Sequence, residues 1–230
     1  MLFPAPLQPA VLIRRYQRFL AEVRLADGST TTVHCPNTGS MRGCSAPGIP
    51  VRLSTAANPQ RKYPQTLEMV KVGTTWVGVN TARTNGLVRE AIIGGIFPEL
   101  GEIVTIQPEV KVGASRLDFR LDGNGITTWL EVKNCSLAEA GTALFPDAVT
   151  TRGTRHLHEL ATLRRKGFRA AIIFCVQRGD TESFAPAAAI DPLYAATLAA
   201  VAAEGVLVLA GRATVTPTGI TIDQRLPVYL

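Results

Sequence analysis

At 230 residues, 46% hydrophobic and 18% charged, the chain is long and apolar enough for one or two cores, which excludes a disordered or fibrous protein. A net charge of +6 fits a polyanionic partner and fits ordinary solubility charge equally well. The Ala-rich run 185–203 is broken by Pro186, Asp191 and Pro192, so no membrane span is expected there.

The charge is concentrated early. Residues 1–63 hold eight basic groups (Arg14, Arg15, Arg18, Arg24, Arg42, Arg52, Arg61, Lys62) against Glu22 and Asp27, so this segment carries +6 and the remainder nets to zero. Most are arginine, whose planar fork suits bidentate phosphate contacts and stacking. Arg14-Arg15 is followed by Arg18, Glu22 and Arg24 rather than an apolar run, so an export signal is not expected. Phe19–Leu25 alternates in polarity and ends at Asp27-Gly28, and Ser29–Val33 answers it as a hairpin partner. Ile49–Leu53, Thr66–Val72 and Thr75–Val79 follow as short strands. Five short strands without a convincing helix predict an N-terminal oligonucleotide-binding-like β-barrel over residues 1–82. Its loops would be Cys35–Cys44, which contains the turn-forming Asn37-Thr-Gly-Ser40, and 57–64, which carries Arg61-Lys62-Tyr63. Charge beside an aromatic ring suits single-strand binding, and an exposed turn with a packed tyrosine fits the same three residues.

From residue 84 the pattern becomes mixed α/β over 83–230. Thr84 or Asn85 would cap a helix with the apolar stripe Leu87, Val88, Ala91 and Ile92, and Glu90 lies near that stripe. A strand is expected over Glu102–Gln107. Two more, Ser115–Leu121 and Thr127–Lys133, flank the turn Asp122-Gly-Asn-Gly125, whose four residues leave the hairpin register loose. A helix through 151–166 buries Leu157, Leu160 and Leu163 and ends at Gly167. Ala170–Val176 is apolar throughout, the mark of a strand buried on both faces, and it delivers Gln177 and Arg178 to its C-terminal end. A helix over 191–203 and strands at 206–209, 213–216 and 220–222 complete a mixed sheet flanked by helices.

The hairpin carries the chemistry. Glu131 and Lys133 are two apart and share a strand face, so a register that sets Asp118 opposite them gathers two carboxylates and an ammonium. Two carboxylates supply oxygen ligands for Mg²⁺ or Mn²⁺, and a lysine beside the ion can orient water for phosphodiester hydrolysis. Cross-strand surface ion pairs, Asp118–Lys133 and Glu131–Arg120, are the plainer alternative. Residues 152–169 add Arg152, Arg155, Arg164, Arg165, Lys166 and Arg169 against Glu159, which fits a basic face for largely sequence-independent phosphate contacts and, for Arg164 to Arg169, fits the solvated side of an amphipathic helix. Arg152 and His156, one helical turn apart, would face the scissile phosphate. Cys35, Cys44, Cys135 and Cys175 lack any C-x-x-C spacing and read as reduced, buried thiols of a cytoplasmic protein. There is no coiled-coil pattern, and edge strands near 206–222 offer a surface for a homodimer.

The ordered elements with Asp118 and Glu131-Val-Lys133 resemble the restriction-endonuclease-like, PD-(D/E)xK, phosphodiesterase superfamily, although Leu117 stands where the motif has proline. Beyond that, Leu12–Leu20, His34–Met41, Ser115–Phe119, Glu131–Asn134, Phe145–Gly153 and Val176–Arg178 are similar to segments of the sugar fermentation stimulation protein A family. The resemblance implies an oligonucleotide-binding barrel, a nuclease-like domain, DNA binding and a regulatory role in sugar (maltose) metabolism. By position it implies Asp118 and Glu131 as metal ligands, Lys133 as the catalytic lysine, Glu90 as a further helix carboxylate and Gln177 as support for the site. Arg14, Arg15, Arg18, Arg61, Lys62 and Tyr63 would grip nucleic acid. Two classes of function follow: a metal-dependent DNA phosphodiesterase, or a DNA-binding regulator that keeps the nuclease fold as scaffold.

Overall fold

The structure is a computed structural model that describes residues 1–58, 60–112 and 115–230; Pro59, in the expected 57–64 loop, lies outside the described residues. The chain opens with β1 (Gln8–Tyr16), β2 (Leu20–Leu25), β3 (Thr30–His34), β4 (Pro50–Thr55), β5 (Gln65–Val72) and β6 (Thr75–Gly78). These form a sheet in the order β3-β2-β1-β4-β5-β6, and the parallel contact of β3 with β5 at His34–Thr66 closes β1 to β5 into a barrel. Leu12, Val23, Val33, Val51, Leu53 and Leu67 fill it. The ring differs from the expected one by a strand at each end. β1 is additional to the expected strands, and a register shift between Leu12 and Arg14 interrupts the alternation that would mark it in the sequence. β6 lies outside the ring and points at the second half of the molecule: the Gly78 N–H donates to the Gln177 carbonyl at 2.8 Å, and Val77 bridges Arg178.

The second half contains α1 (Thr84–Ile93), β7 (Thr105–Val112), β8 (Ser115–Gly123), β9 (Ile126–Cys135), β10 (Leu137–Glu139) and β11 (Thr142–Phe145). It continues with α2 (Thr151–Arg165), β12 (Arg169–Val176), β13 (Ser183–Pro186), α3 (Pro192–Ala203), β14 (Leu207–Thr216) and β15 (Gly219–Leu226). Six strands form one sheet in the order β15-β14-β12-β9-β8-β7, parallel at β9–β12–β14 and antiparallel elsewhere. The expected burial of β12 on both faces is realised. Ala171, Ile173 and Cys175 pack with Leu87 and Val88 of α1, whereas Ile172, Phe174 and Val176 pack with Leu157 and Leu160 of α2 and Leu198 of α3. β10, β11 and β13 make a small separate sheet.

Local chemistry sets the boundaries. Thr150 caps α2 by accepting from the Gly153 N–H at 3.0 Å, and Asp191 caps α3 through the Tyr194 N–H at 2.9 Å. Neither Thr84 nor Asn85 caps α1: Asn80 caps a 3₁₀ turn over Thr81–Arg83, and α1 continues directly from it. β7 lies C-terminal to its expected range and carries Pro108, which an edge strand tolerates. The expected break between 209 and 213 is absent, and β14 runs through Gly211, where a Cβ would meet Ile222 and Phe97 at under 3 Å. β14 is paired on both sides, so the edges of the large sheet are β15 and β7. The β8–β9 turn is tighter than four residues. Asn124 and Gly125, at φ 49° and 74°, form a two-residue connection that fixes the register at Asp122–Thr127 through Phe119–Leu130.

Candidate metal and nucleic-acid site

That register determines where Asp118 goes. Backbone pairing of β8 with β9 ends at Phe119–Leu130, and one residue on, the Asp118 side chain replaces the ladder: its Oδ2 accepts the Val132 N–H at 2.8 Å. Oδ1 accepts from Asn85 Nδ2 of α1 at 2.9 Å. The two Asp118 oxygens are therefore fixed from a strand and from a helix. Burial pushes the Asp118 carboxyl above its ordinary value, and the Glu131 charge adds to this, against the opposing Val132 and Asn85 hydrogen bonds and the Lys133 charge.

Glu131 is 3% exposed on β9. Its Oε1 accepts from Lys133 Nζ at 2.5 Å and from His156 Nδ1 of α2. Arg152 Nε–H approaches His156 Nε2 at 3.5 Å, so the arrangement that satisfies both ring contacts keeps the ring proton on Nδ1, aimed at Glu131. Burial raises the Glu131 carboxyl, but the His156 hydrogen bond and the Lys133 charge outweigh it and hold Glu131 below the usual carboxylate range. Both donors use one oxygen. Oε2 is buried and has no hydrogen-bond partner, an arrangement costly for an ionised group.

Other sequence-derived positions fall around this centre. Gln177 is wholly buried; its Nε2 donates to Asn134 Oδ1 at 2.6 Å and Thr84 Oγ1 at 3.3 Å, and its own N–H donates to the Cys135 carbonyl. It ties the residue after Lys133 to the start of α1 and, through Gly78, to β6; a Cβ at Gly78 would run into Gln177 Oε1. Glu90 is elsewhere: half exposed, it pairs with the Met1 amino group at 2.7 Å. Asn85, expected only as a cap, is the α1 residue that reaches Asp118. Tyr194 was not singled out by sequence, yet its hydroxyl is buried without a hydrogen-bond partner, and the Glu131 charge adds to burial in holding it neutral.

The basic residues are less uniform than their sequence suggests. Arg14 pairs with Glu22 at 2.6 Å and lies over the Tyr16 ring. Arg15 turns inward and donates to the carbonyls of Arg18, Asn37, Gly39 and Ser40, so it shapes the 37–40 loop. Arg18 is exposed. Arg61 donates to His34 Nδ1 at 2.9 Å, and Lys62 covers the Tyr63 ring. Arg152 and Arg155 are exposed on α2. The shaped loop docks on the other half: Ser40 Oγ donates to the Asp147 carbonyl at 2.8 Å, and the Met41 N–H to Asp147 Oδ2 at 2.9 Å. Between the halves lies a cleft of about 420 Å³, lined by Arg15, Arg18 and 37–40 on one side and by 134–137 and 144–150 on the other. It begins one residue after Lys133.

Among the described residues, no group of three or more His, Cys, Asp or Glu side chains gathers as a metal cage. Two carboxylates with one unpartnered buried oxygen do fit Mg²⁺ or Mn²⁺, hard ions that retain waters and need few protein ligands. No helix among the described residues is long and apolar enough to cross a membrane.

Comparison with known proteins places both halves. Residues 13–79 match a family profile described as the SfsA N-terminal OB domain, and residues 82–219 match the sugar fermentation stimulation protein RE domain. Sugar fermentation stimulation protein homologs are 52% identical over 232 residues in Geobacter metallireducens, covering 100% of both chains, and 52% identical over 229 residues in Geobacter sulfurreducens, covering 99% and 98%. A solved structure of Pyrococcus furiosus SfsA in complex with Ca²⁺ superposes with a TM-score of 0.92 at 28% identity, covering 100% of this chain and 98% of that one.

Proposed function

The chain belongs to the sugar fermentation stimulation protein family, and from that premise we propose that it is a DNA-binding, divalent-metal-dependent phosphodiesterase. The observation that carries this reading is the division of labour on Glu131, with one oxygen gripped by Lys133 and His156 and the other buried and free beside Asp118. Glu131 differs from Glu99, whose Oε2 is likewise unpartnered in its pair with Arg225, in having a second carboxylate, Asp118, near enough for the two charges to interact. The Ca²⁺ bound by the Pyrococcus relative supports a hard-cation site in this fold.

In this reading Asp118 and Glu131 Oε2 hold Mg²⁺ or Mn²⁺, which when bound polarises the scissile phosphate and acidifies a coordinated water. Val132 N–H and Asn85 keep Asp118 in place, and His156 does the same for Glu131. Burial and the Glu131 charge both oppose ionisation of Asp118, so the pair is complementary to a cation. Lys133, anchored at Glu131 Oε1, directs its remaining N–H donors at the attacking water and the phosphate. Exposed Arg152 and Arg155 supply backbone contacts on the α2 side, and Arg18 does so from the barrel side of the cleft. Contacts of this kind grip any sequence and weaken with salt.

A second reading, a DNA-binding regulator of sugar-metabolism genes with the nuclease fold as scaffold, is favoured by the absence of a three-ligand cage among the described residues. Incubation of plasmid and single-stranded DNA with Mg²⁺ or Mn²⁺ separates the two. The proposal expects cleavage that is abolished by EDTA and by Glu131→Gln, with DNA binding retained. Binding without metal-dependent cleavage would establish the regulator instead.

A further inference from the structure

A second cavity, of about 390 Å³, lies on the other side of the seam between the halves. Its size is that of a small-molecule site. The two cavities are back to back: Asn37 and Thr81 line the cleft, while their neighbours Pro36 and Ala82 line the second cavity. Thr81 Oγ1 donates to the Pro36 carbonyl at 2.8 Å and pins the partition between them. The second cavity opens where β3 meets β5, the His34–Thr66 closure of the barrel.

Its lining is chemically divided. Pro4, Pro6 and Pro36 provide flat apolar surface. The floor is Glu68, 1% exposed, whose two oxygens accept from Arg83 Nε and Nη2, Ser54 Oγ and Asn80 Nδ2 at 2.6–2.9 Å. Arg83, Ser54 and Asn80 hold Glu68 ionised against its burial, and their four hydrogen bonds take up both its oxygens, so Glu68 fixes the shape of the floor. At the mouth Arg61 donates to His34 Nδ1, which places the ring proton of a neutral His34 on Nε2 as a donor. Burial and the Arg61 charge both keep His34 neutral. A flat heteroaromatic ring with an acceptor on its edge, carried on a phosphate that meets an arginine, matches the proline walls, the His34 donor and Arg61.

We infer that this second cavity takes an unpaired nucleobase of a single strand, with Arg61 on its phosphate, while the same strand crosses the Pro36–Asn37 partition into the cleft that leads to Asp118 and Glu131. The inference rests on the DNA-binding reading above and sharpens it to a single-stranded substrate. A duplex keeps its bases stacked and paired and cannot place one in the cavity without extruding it.

The test is fluorescence anisotropy in EDTA, where cutting is stopped, with a labelled single-stranded oligonucleotide, its abasic counterpart, the corresponding duplex and free deoxyadenosine monophosphate as competitor. The intact single strand should bind on the order of tenfold more tightly than the abasic strand and the duplex. Ala82→Trp, at an exposed rim position, should remove the preference for the intact strand and leave abasic binding unchanged; Arg61→Ala should weaken all strands. Thermal melting verifies that both variants are folded. Equal binding of intact and abasic strands, or a preference that survives Ala82→Trp, would overturn the nucleobase subsite while leaving the DNA grip standing. A free mononucleotide that competes as well as the strand would overturn the strand path. Failure of every DNA to bind would overturn both this inference and the proposed function.

Discussion

Glu68 in the barrel and Glu131 in the large sheet are almost equally hidden, at 1% and 3% exposed. Both lie below the usual carboxylate range against the cost of burial. Their surroundings differ in where the donors fall. Glu68 receives four hydrogen bonds spread over both oxygens, including a two-point contact from Arg83, which is how a fold makes a buried charge permanent. Glu131 receives Lys133 and His156 on Oε1 alone, and Oε2 is left without a partner. On the proposed function, equal burial with unequal satisfaction separates a carboxylate that holds structure from one that takes a metal ion.

Several substitutions would break or sharpen that contrast. The largest effect is expected at the sheet site: Lys133→Ala should lower the rate of metal-dependent cleavage by roughly 10²–10⁴-fold with DNA affinity nearly unchanged, measured by single-turnover kinetics and anisotropy. A wild-type rate in that variant would return Lys133 to the status of an ion-pair partner. Glu68→Ala should instead destabilise the protein by about 3–5 kcal/mol in denaturant melts, because it strands the half-buried Arg83, and should leave the cleavage step at saturating DNA intact below the melting transition. Glu68 also predicts acid sensitivity: its depressed folded value contributes stability above the ordinary carboxylate range, and that contribution is lost as pH falls through the folded value. Glu68→Gln should flatten this part of the pH–stability curve.

His156→Asn is expected to cost about 10–100-fold in metal affinity or activity, since His156 orients Glu131 without touching the ion. Calorimetric Mn²⁺ titration reads this directly, and unchanged affinity would make His156 a packing residue. Asp118→Asn should act in the opposite sense to Glu68→Ala. The raised Asp118 carboxyl means that the metal-free fold loses stability as pH rises through its folded value. Removing the charge should therefore raise the melting temperature slightly near neutral pH, while abolishing the further rise that divalent ions give the wild type. The smallest effect is at the thiols. Burial pushes Cys44 to about 11 and Cys175 to about 12, so neither should react measurably with a thiol reagent in the folded protein.

Regular alternation and continuous apolarity were readable without coordinates: the β2–β3 hairpin, the doubly buried β12 and the leucine stripe of α2 stand where residue pattern puts them. β1 escaped because its bulge shifts the alternation at mid-strand, and a period of two is visible only while the pleat is unbroken. Spacing on two strands brings Asp118, Glu131 and Lys133 together on paper but fits surface ion pairs better, and it is the resemblance to the nuclease superfamily that singles the three out. What spacing could not give is which oxygen of Glu131 is occupied, since His156 reaches it from a helix 25 residues away. Nor could it tell a basic residue that faces solvent from one such as Arg15, whose donors are consumed by loop carbonyls. Side-chain type alone does not distinguish an Asn85 oxygen turned to the backbone from an amide turned to Asp118.

The most direct measurement is the anomalous difference density of a crystal soaked in Mn²⁺. A single strong peak in contact with Glu131 Oε2 and an Asp118 oxygen is the predicted result. A crystal that binds Mn²⁺ only elsewhere, with the two carboxylates arranged as described and no density between them, would contradict it.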